Sequence, residues 1–275
     1  MLLSFTKMQG VGNDFIIFDA PAESHVPDAT TLRKLADRRT GIGFDQALVL
    51  QPPRQAGTDV FYRVFNADGS EVEQCGNGAR CIARLVSSRR AGNGMLRMDS
   101  LGGLVDARIR IDGLVAVDMG IPNFAPESLP FTAEREADQY TLDVLGKQVE
   151  IGAVSMGNPH AVLRVPSVAT APVDTVGPAV ENHPRFPKRA NVGFMEVVDT
   201  GHIRLRVFER GVGETLACGT GACGAVAVGR RLGVLGASVA VDLPGGQLTV
   251  EWAGPGTHLW LTGPAEKVFE GKIEI

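Results

Sequence analysis

The chain writes nearly the same text twice, 143 residues apart. Arg63-Val64-Phe65, Glu71 and Cys75-Gly76-Asn77-Gly78-Ala79 return as Arg206-Val207-Phe208, Glu214 and Cys218-Gly219-Thr220-Gly221-Ala222. Each copy holds an apolar β-prone run, a polar loop of about nine residues, a Cys-Gly-x-Gly-Ala turn and a helix-compatible segment. A repeat of this kind calls for two copies of one structural unit. Packed about a pseudo-twofold axis, the copies bring their two cysteines face to face.

The segments between fit that reading. A hairpin is expected at the start, from Ser4–Met8 through Gly10–Asp14 to Phe15–Asp19. Asp28 to Arg39 has Leu32, Leu35 and Ala36 at helical spacing, with Asp28 or Thr30 as cap. Strands are expected at 47–50, 60–65, 96–98, 104–111 and 114–119. The run Ala79–Arg90 reads as a helix with Ile82, Ala83, Leu85 and Val86 inward and Arg80, Arg84, Ser87 and Ser88 on a polar face. Pro122 to Ala137, with three prolines, reads as the linker. Strands then follow at 141–144, 148–154, 161–165, 192–198, 203–208, 239–243, 248–252 and 258–261, with helices at Val173–Glu181 and Ala222–Leu232.

Many strands with one substantial helix per half give an α+β protein of two pseudo-symmetric halves. Each half wraps antiparallel strands around a central helix. The expected division is 1–117 and 118–264, with a last strand over 265–275 returning to the first half. Ala222, Ala225, Ala227 and Gly229 suit a helix approached closely on all sides.

Composition removes several functions. A net charge of −4 offers no footprint for nucleic acid or an anionic membrane. No apolar run approaches the ~20 residues of a membrane span, and Met1–Lys7 lacks the pattern of a secretory leader. A cytoplasmic location is expected. Four cysteines are too few for a disulfide scaffold, and the spacings from Cys75 to Cys81 and Cys218 to Cys223 do not suit zinc. No metal is expected.

Gly219-Thr220-Gly221-Ala222-Cys223-Gly224 matches the spacing of a dinucleotide fingerprint, but a polar loop separates it from its strand. The glycines read better as helix N-termini open to an anion. A cysteine at such an end is expected to have its thiol acidity raised. Two such thiols suit removal of a proton from one face of a carbon and its return to the other, as in a racemase or epimerase. Cys81 and Cys223, inside the helices, read as small buried side chains.

Asn66-Ala67-Asp68-Gly69-Ser70 with Cys75–Cys81 resembles the first cysteine signature of the diaminopimelate epimerases. Glu209-Arg210-Gly211-Val212-Gly213-Glu214-Thr215-Leu216-Ala217 with Cys218–Gly221 resembles their second. Lys7–Phe15 and Gly157-Asn158-Pro159-His160 are similar to further family segments, so the resemblance covers essentially the whole chain. It implies epimerisation of LL-2,6-diaminopimelate to the meso form in lysine and peptidoglycan-precursor synthesis, without pyridoxal phosphate or metal, by a homodimer. By position it makes Cys75 and Cys218 catalytic, and puts Asn13, Gln46, Asn66, Asn158, Asn191, Glu209 and Arg210 on the substrate. Gly76, Asn77, Gly219 and Thr220 would hold the reacting carboxylate, while His160 and Glu209 would tune the thiols. The alternatives are a proline-type racemase and a binding protein for dicarboxylic amino acids.

Overall fold

A computed structural model describes residues 2–73, 75–90 and 94–274. Ile275, the last residue of the expected final strand, and Met1 lie outside the described residues. The chain divides into two compact units, Met1–Asp118 with Gly263–Ile275, and Met119–Thr262.

In the first unit β1 (Leu2–Gly10) and β2 (Asn13–Asp19) form a hairpin across Val11-Gly12, both at positive φ. That is the two-residue turn whose twist suits a hairpin, although a β-branched Val11 at φ 49° is unusual there. α1 (Ala29–Ala36) crosses to β3 (Gln46–Gln51), which lies parallel to β2. Asp28 caps α1 by accepting from the Thr31 N–H at 2.8 Å. The helix stops three residues short of the expected Arg39, because Asp37 turns its carboxylate onto the N–H groups of Arg39 and Thr40. β4 (Val60–Asn66) and the short β5 (Glu71–Val72) lead into α2 (Gly76–Ser88). β6 (Met95–Ser100) lies parallel to β4, and β7 (Gly103–Ile109) and β8 (Val115–Asp118) continue antiparallel.

The second unit repeats this plan. β9 (Tyr140–Val144) pairs with β10 (Lys147–Ser155), and β11 (Pro159–Arg164) leads through α3 (Val173–Glu181) to the parallel β12 (Asn191–Asp199). β13 (His202–Glu209) and β14 (Gly213–Thr215) precede α4 (Gly219–Arg231). β15 (Ser238–Leu243) runs parallel to β13, followed by β16 (Gly246–Trp252) and β17 (Leu259–Gly263). Finally β18 (Glu266–Glu274) pairs antiparallel with β1, the place β9 takes beside β10. The registers agree residue by residue: Val60 faces Met98 where Ile203 faces Val241, and Gln46 faces Phe15 where Asn191 faces His160.

Two halves of strands with a central helix each are as expected, but the sheets are mixed. Each contains two parallel pairs, because a helix intervenes between those strands and carries the chain back to the same end. Both faces are then covered, so Phe15, Ile16, Ile17 and Phe18 are all buried instead of alternating. In the first unit Ile16, Phe18, Ala47 and Val49 pack with Leu32 and Leu35 of α1. In the second, Ala161, Leu163, Val192 and Phe194 pack with Val173 and Val180 of α3. α2 touches β1 and β8, and α4 touches β10 and β16. Strands far apart in sheet order meet one helix, so each sheet curls around its own.

Two expectations give way. Pro122–Ala137 is no linker: Asn123 pairs with Ser155, and Leu129 and Phe131 are buried in the core of the second unit. The polar loops close into hairpins, β4–β5 and β13–β14, because each carries a salt bridge made from the repeat itself. Arg63 donates to both carboxylate oxygens of Glu71 at 2.5 and 2.8 Å, and Arg206 to both of Glu214 at 2.6 and 2.7 Å. A planar fork on a carboxylate fixes geometry as well as charge, which explains why this pair recurs in both copies.

Candidate active site

Each central helix starts one residue after its cysteine. Cys75 caps α2 and Cys218 caps α4, both in extended backbone. The helices begin at Gly76 and Gly219, earlier than periodicity alone placed them, so the thiols sit at the first turn. There the backbone N–H groups have no partner within the helix and the helix dipole is positive. The second glycine of each turn packs directly against its cysteine. The Gly78 N–H reaches Cys75 Sγ at 3.4 Å, and a Cβ on Gly221 would fall 3.2 Å from Cys218 Sγ.

In the first unit Asn13, at the end of the strained turn, points its carboxamide oxygen at this corner. Its Oδ1 accepts from Asn77 Nδ2 at 3.3 Å and lies 3.9 Å from Cys75 Sγ, while its Nδ2 donates to Asp45 at 2.9 Å. Gln46 and Asn66 face each other on β3 and β4 and are joined at 2.9 Å, with Asn66 tied onward to Ser70. Asn13, Gln46, Asn66, Cys75, Gly76 and Asn77 therefore belong to one contiguous edge of the first unit.

The second unit gathers the remaining expected residues. Asn158 Nδ2 donates to Thr220 Oγ1 at 3.3 Å, and Asn158 Oδ1 meets His160 Nε2 at 3.0 Å. Thr220 Oγ1 is 3.6 Å from Cys218 Sγ. Asn191 Oδ1 accepts from the Arg210 N–H at 2.9 Å, and Thr215 donates to Glu209 at 2.5 Å. Glu181, buried under the turn, accepts from the Gly211 N–H at 2.7 Å and so anchors the Glu209–Gly211 corner.

Burial, then the nearby Glu209 carboxylate, holds the Cys218 thiol above its ordinary range. This reverses the lowering expected at a helix N-terminus: dehydration of the thiolate, with Glu209, outweighs the bonds from Thr220 and Gly221. His160 is pushed down to about 3 by burial and by Arg210. It is a neutral imidazole at physiological pH, and its side-chain hydrogen bond goes to Asn158. Cys81 and Cys223 are fully buried, and burial pushes Cys81 up to about 12.

Two features escaped the sequence. Arg80 is fully buried, not on the polar face; it donates to Asn77 Oδ1 at 2.8 Å and to the Pro264 carbonyl at 3.3 Å. Its place one turn along the helix from Asn77 is the signal that could have found it. Lys7, Asp14, Arg38 and Asp45 form an ion network behind Asn13, spread too widely in the chain to read as a cluster. Among the described residues no group of three His, Cys, Asp or Glu side chains is arranged to hold a metal.

The model of the diaminopimelate epimerase family matches residues 5–125 and 152–268. The chain belongs to the diaminopimelate epimerase family. It is 54% identical to the diaminopimelate epimerase of Pseudomonas aeruginosa over 276 residues, and 54% identical to that of Alkalilimnicola ehrlichii over 278 residues. Both comparisons cover 100% of each chain. Solved structures similar in fold include a hydroxyproline epimerase from Agrobacterium vitis, at TM-score 0.70 and 15% identity, over 99% of this chain and 92% of that one. A phenazine biosynthesis protein from Bacillus anthracis matches at TM-score 0.68 and 16% identity over 100% of both. Membership of the diaminopimelate epimerase family and the doubled fold thus agree. Among the described residues no helix is long and apolar enough to cross a membrane.

Proposed function

We propose that this chain interconverts LL- and meso-2,6-diaminopimelate through Cys75 and Cys218. The single observation behind the reading is the matched pair of cysteines capping matched helices in a member of this family. One thiolate takes the Cα proton: the C–H bond breaks, an S–H bond forms and the electron pair passes toward the substrate carboxylate. The other thiol gives its proton to the opposite face, and a new C–H bond completes inversion. Gly76, Asn77, Gly219 and Thr220, at the helix starts, would hold that carboxylate as its charge grows. Asn13, Gln46, Asn66, Asn158, Asn191, Glu209 and Arg210 would recognise the amino and carboxylate groups.

The tuning roles can be given a direction. Glu209, accepting from the Cys218 thiol, favours its protonated form. His160 would act by orienting Asn158 rather than by charge. The resemblance also carries a cytoplasmic homodimer into this proposal, which light scattering on the purified chain would test.

The test of function is Cα deuterium uptake in D₂O under reducing conditions, with no added cofactor. LL-diaminopimelate should exchange and yield the meso isomer while proline and glutamate do not. Exchange of proline alone would establish the racemase reading, and binding of diaminopimelate without exchange would establish a binding protein.

A further inference from the structure

The two copies treat their equivalent asparagines in opposite ways. Asn13 and Asn158 stand 145 residues apart, each directly after a glycine at positive φ, Gly12 or Gly157. Asn158 turns its Nδ2 toward the helix start, at Thr220, and gives its Oδ1 to His160. Asn13 turns its Oδ1 toward the helix start, at Asn77 and Cys75, and gives its Nδ2 to Asp45. The position of Asp45 in the second copy is the buried Ala190, and that of His160 in the first is Phe15.

A carboxylate only accepts hydrogen bonds. Facing Asp45, the carboxamide of Asn13 has one permitted orientation. Asp45 is itself held on both oxygens: Oδ1 accepts from Arg38 at 2.9 Å, and Oδ2 accepts from the Asp14 N–H at 3.1 Å. Arg38 also grips both oxygens of Asp14, at 2.9 and 2.7 Å. Asp14 in turn takes Lys7 at 2.6 Å, and Lys7 also donates to the Gly43 carbonyl. The chain of bonds runs from a buried lysine to one amide.

We propose that Asp45, braced by Arg38, is a positioning residue that fixes the Asn13 carboxamide with its oxygen toward Cys75. The inference rests on the proposed function, in which Cys75 and Asn13 belong to the reacting site. An oxygen at that corner receives donors, namely the thiol S–H and an ammonium group of an amino-acid substrate. An amide N–H there would instead stabilise the thiolate and turn the ammonium away. The carboxylate at 45 therefore gives the first half-site its acceptor character.

The test reads Cys75 directly. Iodoacetamide alkylation is followed on the full chain by mass spectrometry of the peptide that carries Cys75, at fixed pH near neutrality. Asp45→Ala, the side chain that the second copy carries as Ala190, removes the acceptor for Asn13 Nδ2 and leaves the Asn77 amide alone to hold the Asn13 oxygen. Alkylation of Cys75 should then run about threefold faster, as expected when an acceptor beside a thiolate is loosened. The exchanged pair, Asn13→Asp with Asp45→Asn, keeps an acceptor toward sulfur and moves the negative charge beside it. It should run about threefold slower than the parent chain. Opposite signs from two variants at one contact are not the mark of loosened packing. An unchanged rate in Asp45→Ala, or a faster rate in both variants, overturns the proposal. If Asp45→Ala melts early, Arg38→Gln, at a side chain 58% exposed, should give the same sign with a smaller change. An unchanged rate there overturns the proposal equally. Absence of diaminopimelate exchange in the parent chain would sink the functional reading alone, because alkylation needs no substrate.

Discussion

Cys75 and Cys218 occupy the same place in two helices of identical length, yet their surroundings differ. Cys75 is half-buried beside an amide oxygen that a carboxylate holds still. Cys218 is buried, beside a threonine hydroxyl and a glutamate. The copies agree in backbone, register and the arginine–glutamate clasp, and diverge in the groups that touch sulfur. The proposed two-base chemistry asks for that combination. The donors must approach a carbon symmetrically, while their protonation states must differ when the substrate arrives.

The comparison is open to breaking, most severely at the thiols. Alanine at either cysteine should lower epimerisation by at least about a thousandfold. A variant keeping a tenth of parental activity would end the equal partnership. The next largest effect concerns packing that only one half carries. Gly152 lets Val228 of α4 press on β10, where a Cβ would fall 2.3 Å from Val228 Cγ1; the corresponding residue of the first unit is Lys7. Gly152→Ala should cost about 1–3 kcal/mol by overpacking. Chemical denaturation checks it, and an unchanged midpoint would mean that α4 has room to shift.

Smaller again is the clasp that both halves share. Arg63→Gln and Arg206→Gln should each cost about 1 kcal/mol, since these forked pairs are only partly exposed. Nearly equal losses in melting temperature would sharpen the equivalence, and a tenfold disparity in free energy would break it. The last comparison is a slope. His160 is held down to about 3, against about 6.5 for an unfolded chain. Its contribution is fully present above pH 6.5, and drains as pH falls toward 3 because only the unfolded state takes the proton. The drain is at most about 1.4 kcal/mol per pH unit. His160→Gln should flatten melting temperature against pH between 6 and 4, whereas Phe15 contributes no such slope. A variant as steep as the parent would assign the slope to other groups.

Much of this was legible because the repeat constrains it. α3 spans Val173–Glu181 as periodicity places it, and both cysteines announce themselves by recurring before Gly-x-Gly. Arg80 was misplaced because helical spacing assigns it a polar face, while the curl of the sheet leaves α2 no solvent side at that turn. Asp45 stayed invisible for another reason. Its role depends on Arg38 and Asp14 meeting across a parallel crossover, and no local pattern encodes that meeting. The parallel pairs were missed likewise, since strand periodicity does not record direction.

The second unit is one uninterrupted stretch, with β9 turning back on β10 through Leu145-Gly146. The first unit takes the equivalent strand, β18, from beyond the whole of the second. On the ribosome, then, the half whose synthesis begins first must wait with β1 lacking its outer neighbour while the other is made. The edge left open meanwhile, β1 with Leu3 and Phe5, is a template for pairing with a neighbouring nascent chain.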